Sequence, residues 1–234
     1  MATGGKQGKS SWVVRFIVRP LLVVFAFTIL WVLLYRFVPV PFTVPMAKDF
    51  IAGKDVKRDW TSFSNIAPDL PRAVIAGEDG KFCSHFGFDT EAISKAMEAN
   101  ADGRKLRGGS TVSQQVAKNA FLWPGRSWLR KGLEAYFTVL IELMWDKKRI
   151  MEVYLNVAEF GIGVYGAEAA AQHYFDKSAK SLTRSEAARL VAVLPSPIKR
   201  DARNPRGYTA RYAKRIERWT RVVDNEGFDA CLGL

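Results

Sequence analysis

Residues 127–145, SWLRKGLEAYFTVLIELMW, decide the fold class. Ser127 is a helix-capping residue. Leu129, Leu133, Phe137, Leu140 and Met144 recur at three- and four-residue spacing, which predicts one apolar face of a long helix. The same period returns on either side. Leu70–Ala76 reads as a short apolar helix, and Thr90 can cap a helix running through Ile93 to Asn100. Thr111 with Gln114 makes a capping-box pattern before a helix to Asn119. Asp146–Phe160 and Val164–Phe175 continue the helical spacing. Thr183 with Glu186 is a second capping box, closed by Pro195 and Pro197, and Tyr208–Val223 is a basic amphipathic helix. No alternating strand ladder and no internal repeat stands out, so the sequence predicts a mainly α protein.

The N-terminus has a different character. Leu21–Tyr35, LLVVFAFTILWVLLY, carries no charge, and Phe16–Val18 and Phe37–Val38 extend it past Arg19 and Arg36. A helix of about 20 apolar residues spans a bilayer core, and terminal arginines can snorkel to the headgroups. The expected division is a basic tail at 1–15, a transmembrane helix at 16–38, a juxtamembrane segment at 39–64 and one catalytic domain at 65–234. Lys6, Lys9, Arg15 and Arg19 precede the span, which predicts a cytoplasmic N-terminus and an exported remainder. A cleaved signal peptide is the alternative, but FVPVPFTVP after the run lacks a small-x-small cleavage pattern.

Composition narrows the function. Lys and Arg total 35 against 23 Asp and Glu, a formal charge of +12 that suits nucleic acid, an anionic membrane or a phosphorylated substrate. Export argues against nucleic acid. Two cysteines and two histidines cannot build a thiolate zinc site or a disulfide scaffold. Export makes Cys83 and Cys231 candidates for a disulfide, but two cysteines so far apart in sequence need not meet, and two free thiols are the expectation.

Four stretches carry chemistry. In Glu78-Asp79-Gly80-Lys81-Phe82-Cys83-Ser84-His85-Phe86-Gly87, paired carboxylates follow an apolar helix. One of them could be a general acid or base in a dry cleft, or the segment could be a solvated loop. In Gly108–Asn119, glycines feed a helix whose free N–H groups, with Ser110, Thr111 and Lys118, suit a phosphate. Plain N-capping by Thr111 needs no ligand. In Arg126–Glu134, Arg130 and Lys131 lie within reach of Glu134 on a helix. That cluster is a surface ion-pair group or a cationic clamp for a diphosphate. Lys147–Asn156 reads as structural.

In order, Glu-Asp-x-x-Phe-x-x-His-x-Gly, Gly-x-Ser-Thr-x-x-Gln-Gln, Arg-Lys-x-x-Glu and Lys-x-x-Ile-x-Glu-x-Tyr-Leu-Asn resemble the family 51 glycosyltransferases over about Arg72–Pro205. Ile150-Met151-Glu152 departs from the family's Ile-Leu-Glu by a volume-conserving swap. The resemblance implies a lysozyme-like helical glycosyltransferase domain behind one membrane anchor. The implied reaction polymerises lipid II into β-1,4 glycan with inversion at the donor C1 and release of undecaprenyl diphosphate. Nothing after Pro205 has room for a transpeptidase domain. The resemblance makes Glu78 the base and Glu134 the second essential glutamate. Asp79, Phe82, Ser110, Thr111, Gln114, Gln115, Lys118, Arg126, Arg130 and Lys131 would bind substrate, and His85 is open between ligand contact and structure. A divalent cation, Mg or Mn at Glu134, is left open. Lipid II, the growing glycan chain and membrane lipid are the expected partners, with cell-division or cell-wall synthesis proteins beside them. The expected place is the bacterial inner membrane, with the catalytic domain periplasmic. Rival readings are a glycan-cleaving lytic enzyme, which needs no diphosphate clamp, and a non-catalytic scaffold.

Overall fold

A short π-helical turn, Val14–Val18, opens into α1 (Arg19–Phe37). This computed structural model describes residues 12–101, 109–125 and 127–234. The basic tail's Lys6 and Lys9, the glycine-rich segment 102–108 and Arg126 lie outside the described residues. The chain divides into two units, Met1–Val38 and Pro39–Leu234. In the first, Val14–Phe37 is 24 residues of continuous apolar helix, about 36 Å long at 1.5 Å per residue. That is long and apolar enough to cross a membrane.

The second unit begins with α2 (Val44–Ile51), capped by the Thr43 hydroxyl, and β1 (Lys57–Arg58). The segment that reads as an irregular juxtamembrane stretch is tied into this unit. Arg58 donates to the carbonyls of Val40 and Pro41, and Asp49 accepts from Lys54 (2.8 Å) and from the Tyr165 hydroxyl (2.9 Å). The helices α3 (Asp69–Glu78), α4 (Thr90–Ala101), α5 (Val112–Phe121), α6 (Trp128–Met144) and α7 (Lys147–Val157) follow. Both predicted capping boxes form, at Thr111–Gln114 and at Thr183–Glu186. Asp89, rather than Thr90, caps α4 by accepting from the Ala92 N–H.

The small sheet is absent from the helical reading of the sequence. β2 (Glu159–Gly161) and β3 (Val164–Tyr165) pair antiparallel, and β1 adds in parallel, giving the order β1-β3-β2. Strands of two and three residues are too short to show a period of two. Gly163 sits at φ +71, and a Cβ there would lie 2.5 Å from the Asp55 carbonyl, so the turn can pass β1 only as glycine. The chain then forms α8 (Ala167–Phe175), α9 (Arg184–Val193) and α10 (Gly207–Asn225). Leu70, Val74 and Ile75 of α3 are fully buried in a layer with Leu190 and Val191 of α9 and Ile216 of α10. Arg72 and Arg184 tie this layer's rim to Asp69, Asp224 and Asp229.

Cys83 and Cys231 are not free thiols. They form a disulfide across 148 positions, joining the segment after α3 to the C-terminal turn Ala230–Leu232. Sequence distance hides this pairing because α10 returns the chain's end to the side of α3.

Candidate active site

Glu78 is the last residue of α3, half-buried, and its Oε2 accepts a 3.0 Å hydrogen bond from Gln115 Nε2 on α5. Tyr154, buried on α7, directs its hydroxyl to Gln115 Oε1 at 3.5 Å. Burial raises the Glu78 pKa above the usual glutamate range. The Gln115 hydrogen bond and the charge of Lys118 oppose that rise, Asp79 adds to it, and Arg200 opposes it. A carboxylate with its proton affinity raised in this way suits general-base work near neutral pH.

Asp79 points the other way. It is buried, meets His85 Nε2 with both oxygens (2.9 and 3.0 Å) and accepts from the Val112 N–H at 2.9 Å. It therefore pins the start of α5 to the end of α3. Phe82 is fully buried, and Lys147 Nζ stands 4.7 Å from its ring centre while donating to the His85 carbonyl and to Glu142. Thr111 donates to the Gly87 carbonyl at 2.7 Å, and Gln114 closes the capping box. Asp79, Phe82, His85, Thr111 and Gln114 thus buttress the site from inside, and Ser110 is exposed.

The second glutamate, Glu134, is buried on α6 between two cations. Arg130 donates to Oε2 at 3.1 Å, and Lys131 Nζ lies 2.5 Å from Oε1. Burial lowers the Lys118 pKa; Arg130 and Lys131 push the same way, against Glu134 and Glu78. Three cations converging on one partly dry place are matched to a doubly charged diphosphate. That donor set does not suit a divalent metal at Glu134, whose two oxygens already face cations. Among the described residues no cluster of three acid, His or Cys side chains assembles.

Beside the clamp lies a cavity of about 630 Å³, lined by Lys118, Asn119, Arg130, Glu159, Trp123 and Ile198 with residues of α2. Glu78 is not among its walls; the cavity extends the site on the clamp side. Arg130 Nε and Glu159 Oε1 are buried there without a hydrogen-bond partner among the described residues, which leaves a donor and an acceptor for a bound molecule.

The transglycosylase family model matches residues 46–225. A biosynthetic peptidoglycan transglycosylase of Caulobacter vibrioides is 54% identical over 90% of this chain and 92% of its own length. Enzymes of the same name in Xanthomonas campestris (48% identical, 92% of this chain, 90% of theirs) and Pseudomonas putida (52%, 89% and 91%) match as well. This chain belongs to the biosynthetic peptidoglycan transglycosylases.

Several residues of the transglycosylase site escape a reading of the sequence. Tyr154, Arg200 and Tyr212 surround Glu78, and Tyr212 donates to the Gly77 carbonyl at 2.8 Å. Tyr154 stands on α7, Tyr212 on α10 and Arg200 in the loop between α9 and α10, so only the packing of segments distant in sequence brings them there. The apolar face predicted for α6 holds in part: Phe137 and Leu140 are buried as expected, Leu133 and Met144 are half-buried, and Leu129 is exposed. Phe137 and Ile141 are buried with Arg130, Glu134 and Thr138, whereas Trp128 (92%), Leu129 (71%) and Leu143 (67%) are exposed.

Proposed function

We propose that the transglycosylase polymerises lipid II. Glu78 takes the proton from the acceptor sugar's 4-hydroxyl as that oxygen forms its bond to the donor C1. The bond from C1 to the diphosphate breaks on the opposite face, so an α-linked donor gives a β-1,4 product and undecaprenyl diphosphate leaves. Lys118, Arg130 and Lys131, with Arg126, meet the charge that develops on the leaving group, which lowers the barrier to its departure. Glu134 holds two of those cations in place, and no step needs a metal.

The observation that carries this reading is the juxtaposition of one half-buried glutamate of raised proton affinity with a converging cation set, Lys118 acting electrostatically on both glutamates. A lytic enzyme has no use for the second half. The test is conversion of labelled lipid II in detergent by the native protein and by Glu78→Gln, scoring polymer and released lipid diphosphate. Polymer from the native protein alone supports the assignment; equal activity in both removes Glu78 from the mechanism.

The same reading places the enzyme in the bacterial inner membrane with its N-terminus cytoplasmic and Pro39–Leu234 periplasmic. Its substrate's polyprenyl tail stays in the bilayer, and the exposed Trp123, Trp128, Leu129 and Leu143 suit contact with lipid. Trp60–Ile66 does not, because Phe63 and Ile66 are core and Trp60 lies against Arg58 and Arg149. Protein lacking residues 1–40 should still bind liposomes, and Trp128→Ser with Leu129→Ser should abolish that binding. No binding by the truncated parent would sink the lipid-contact role.

A further inference from the structure

The segment between α3 and α4, residues 79–89, has no helix or strand of its own to hold it. It keeps its shape through single contacts. Asp79 bonds His85 and the Val112 N–H, Thr111 and Lys147 donate to the carbonyls of Gly87 and His85, and Phe82 is buried. Cys83 stands between Asp79 and His85 in this set, and its covalent partner is Cys231. The far end of the bridge is itself fixed. Leu232 is buried, the turn Ala230–Leu232 packs on α7, and Asp229 accepts from Arg72 Nε at 2.7 Å. Arg72 belongs to α3, the helix that ends in Glu78. The helix, the loop, the bridge and the Arg72–Asp229 pair therefore form a closed circuit beside the base.

Stabilisation by loop closure would follow from a bridge between any two distant positions. This bridge is placed on the loop whose Asp79 carboxylate fixes the start of α5, and α5 presents Gln115 to Glu78 at 3.0 Å. We propose that Cys83 and Cys231 are positioning residues for the base: their bridge holds the loop so that Asp79 keeps α5, and with it Gln115, in register with Glu78. Transglycosylation then follows the redox state of the pair. A dithiol reduces it: one thiolate attacks a bridge sulfur, the S–S bond breaks, and the second thiol resolves the mixed disulfide. Two electrons and two protons pass to Cys83 and Cys231, and the dithiol leaves as a disulfide. The proposal rests on the reading of Glu78 as the base.

The test is lipid II polymerisation by the full chain in detergent before and after dithiothreitol, with released thiols titrated and the fold followed by circular dichroism. Reduction should lower kcat about ten- to a hundredfold, the scale of a small misplacement of a reacting group, and leave KM nearly unchanged. Oxidised glutathione should restore the rate. Binding of an isoprenyl diphosphate should stay native, because Arg130 and Lys131 stand on α6. Cys83→Ala with Cys231→Ala should be slow with or without dithiothreitol. Glu78 faces Asp79, Lys118 on α5, Tyr154 on α7, Tyr212 on α10 and Arg200, and Gln115 hydrogen-bonds its ionised form. Loss of that bond should move the acid limb of the pH–rate profile to higher pH, which lower stability alone would not do. An unchanged kcat and acid limb in the reduced, folded protein would overturn the positioning role. So would loss of the helical signal or of isoprenyl diphosphate binding on reduction, either of which would assign the bridge to the fold as a whole. Polymer made at one rate in both redox states overturns the proposal and leaves the reaction standing; no polymer in either overturns the reaction and this role with it.

Discussion

At Glu78 the carboxylate ends a helix, faces a site closed by Gln115, Tyr154 and Tyr212, and has its proton affinity raised chiefly by burial. A base works only when ionised, so kcat should fall on the acid side through a pKa above the ordinary glutamate range. Gln115 hydrogen-bonds the ionised form and holds that pKa down. Gln115→Ala should therefore shift the acid limb of the pH–rate profile to higher pH, and an unchanged limb would remove the Gln115 contact from the mechanism. The stability sign is the reverse of the usual carboxylate case. With the folded pKa raised, the native state binds more protons than the unfolded chain above the unfolded value, and ionised Glu78 lowers stability there. Glu78→Gln should lose about 10²–10⁴ in rate while raising Tm at neutral pH, which thermal melts of the two proteins would check.

On α6, Phe137 and Leu140 of the predicted apolar stripe sit in the core, and polar and charged groups take the positions beside them. Arg130, Glu134 and Thr138 turn inward because this face lines the clamp, and Leu129 and Leu143 are left outside. Removing one member of a buried ion pair strands the other, at a cost of about 3–5 kcal/mol. Glu134→Gln should accordingly lower both Tm and polymer yield. Arg130→Met combined with Glu134→Leu should recover much of the stability and none of the activity, and recovery of both would show that the pair is only structural. Behind Glu78, α3 meets α9 at Gly77, where a Cβ would lie 2.7 Å from Val191 Cγ1. Gly77→Ala must push the base-bearing helix away from α9. Activity should drop more than overpacking of about 1–3 kcal/mol would explain, measured as kcat beside a urea melt.

Across the whole molecule, the Cys83–Cys231 bridge closes a loop that holds the catalytic unit from the segment after α3 to the C-terminal turn. A loop of that length carries a chain-entropy stabilisation of about 5 kcal/mol as an upper figure. Cys83→Ser with Cys231→Ser, or treatment with a reductant, should move the urea midpoint down; an unmoved midpoint would mean that the thiols do not pair in solution. The sequence by itself determined the apolar span, the helical class, both capping boxes and the two glutamates with their basic neighbours. Those signals are local: residue spacing, side-chain oxygens before a helix, and short motifs within one element. The tertiary structure alone decided that Asp79 and His85 brace α5 and that residues 39–64 join the catalytic unit through Asp49 and β1. It also brought Tyr212 and Arg200 to Glu78 and paired the two cysteines. Each of these depends on contacts between positions far apart in the chain, and such contacts follow from which faces pack together, which no local pattern records.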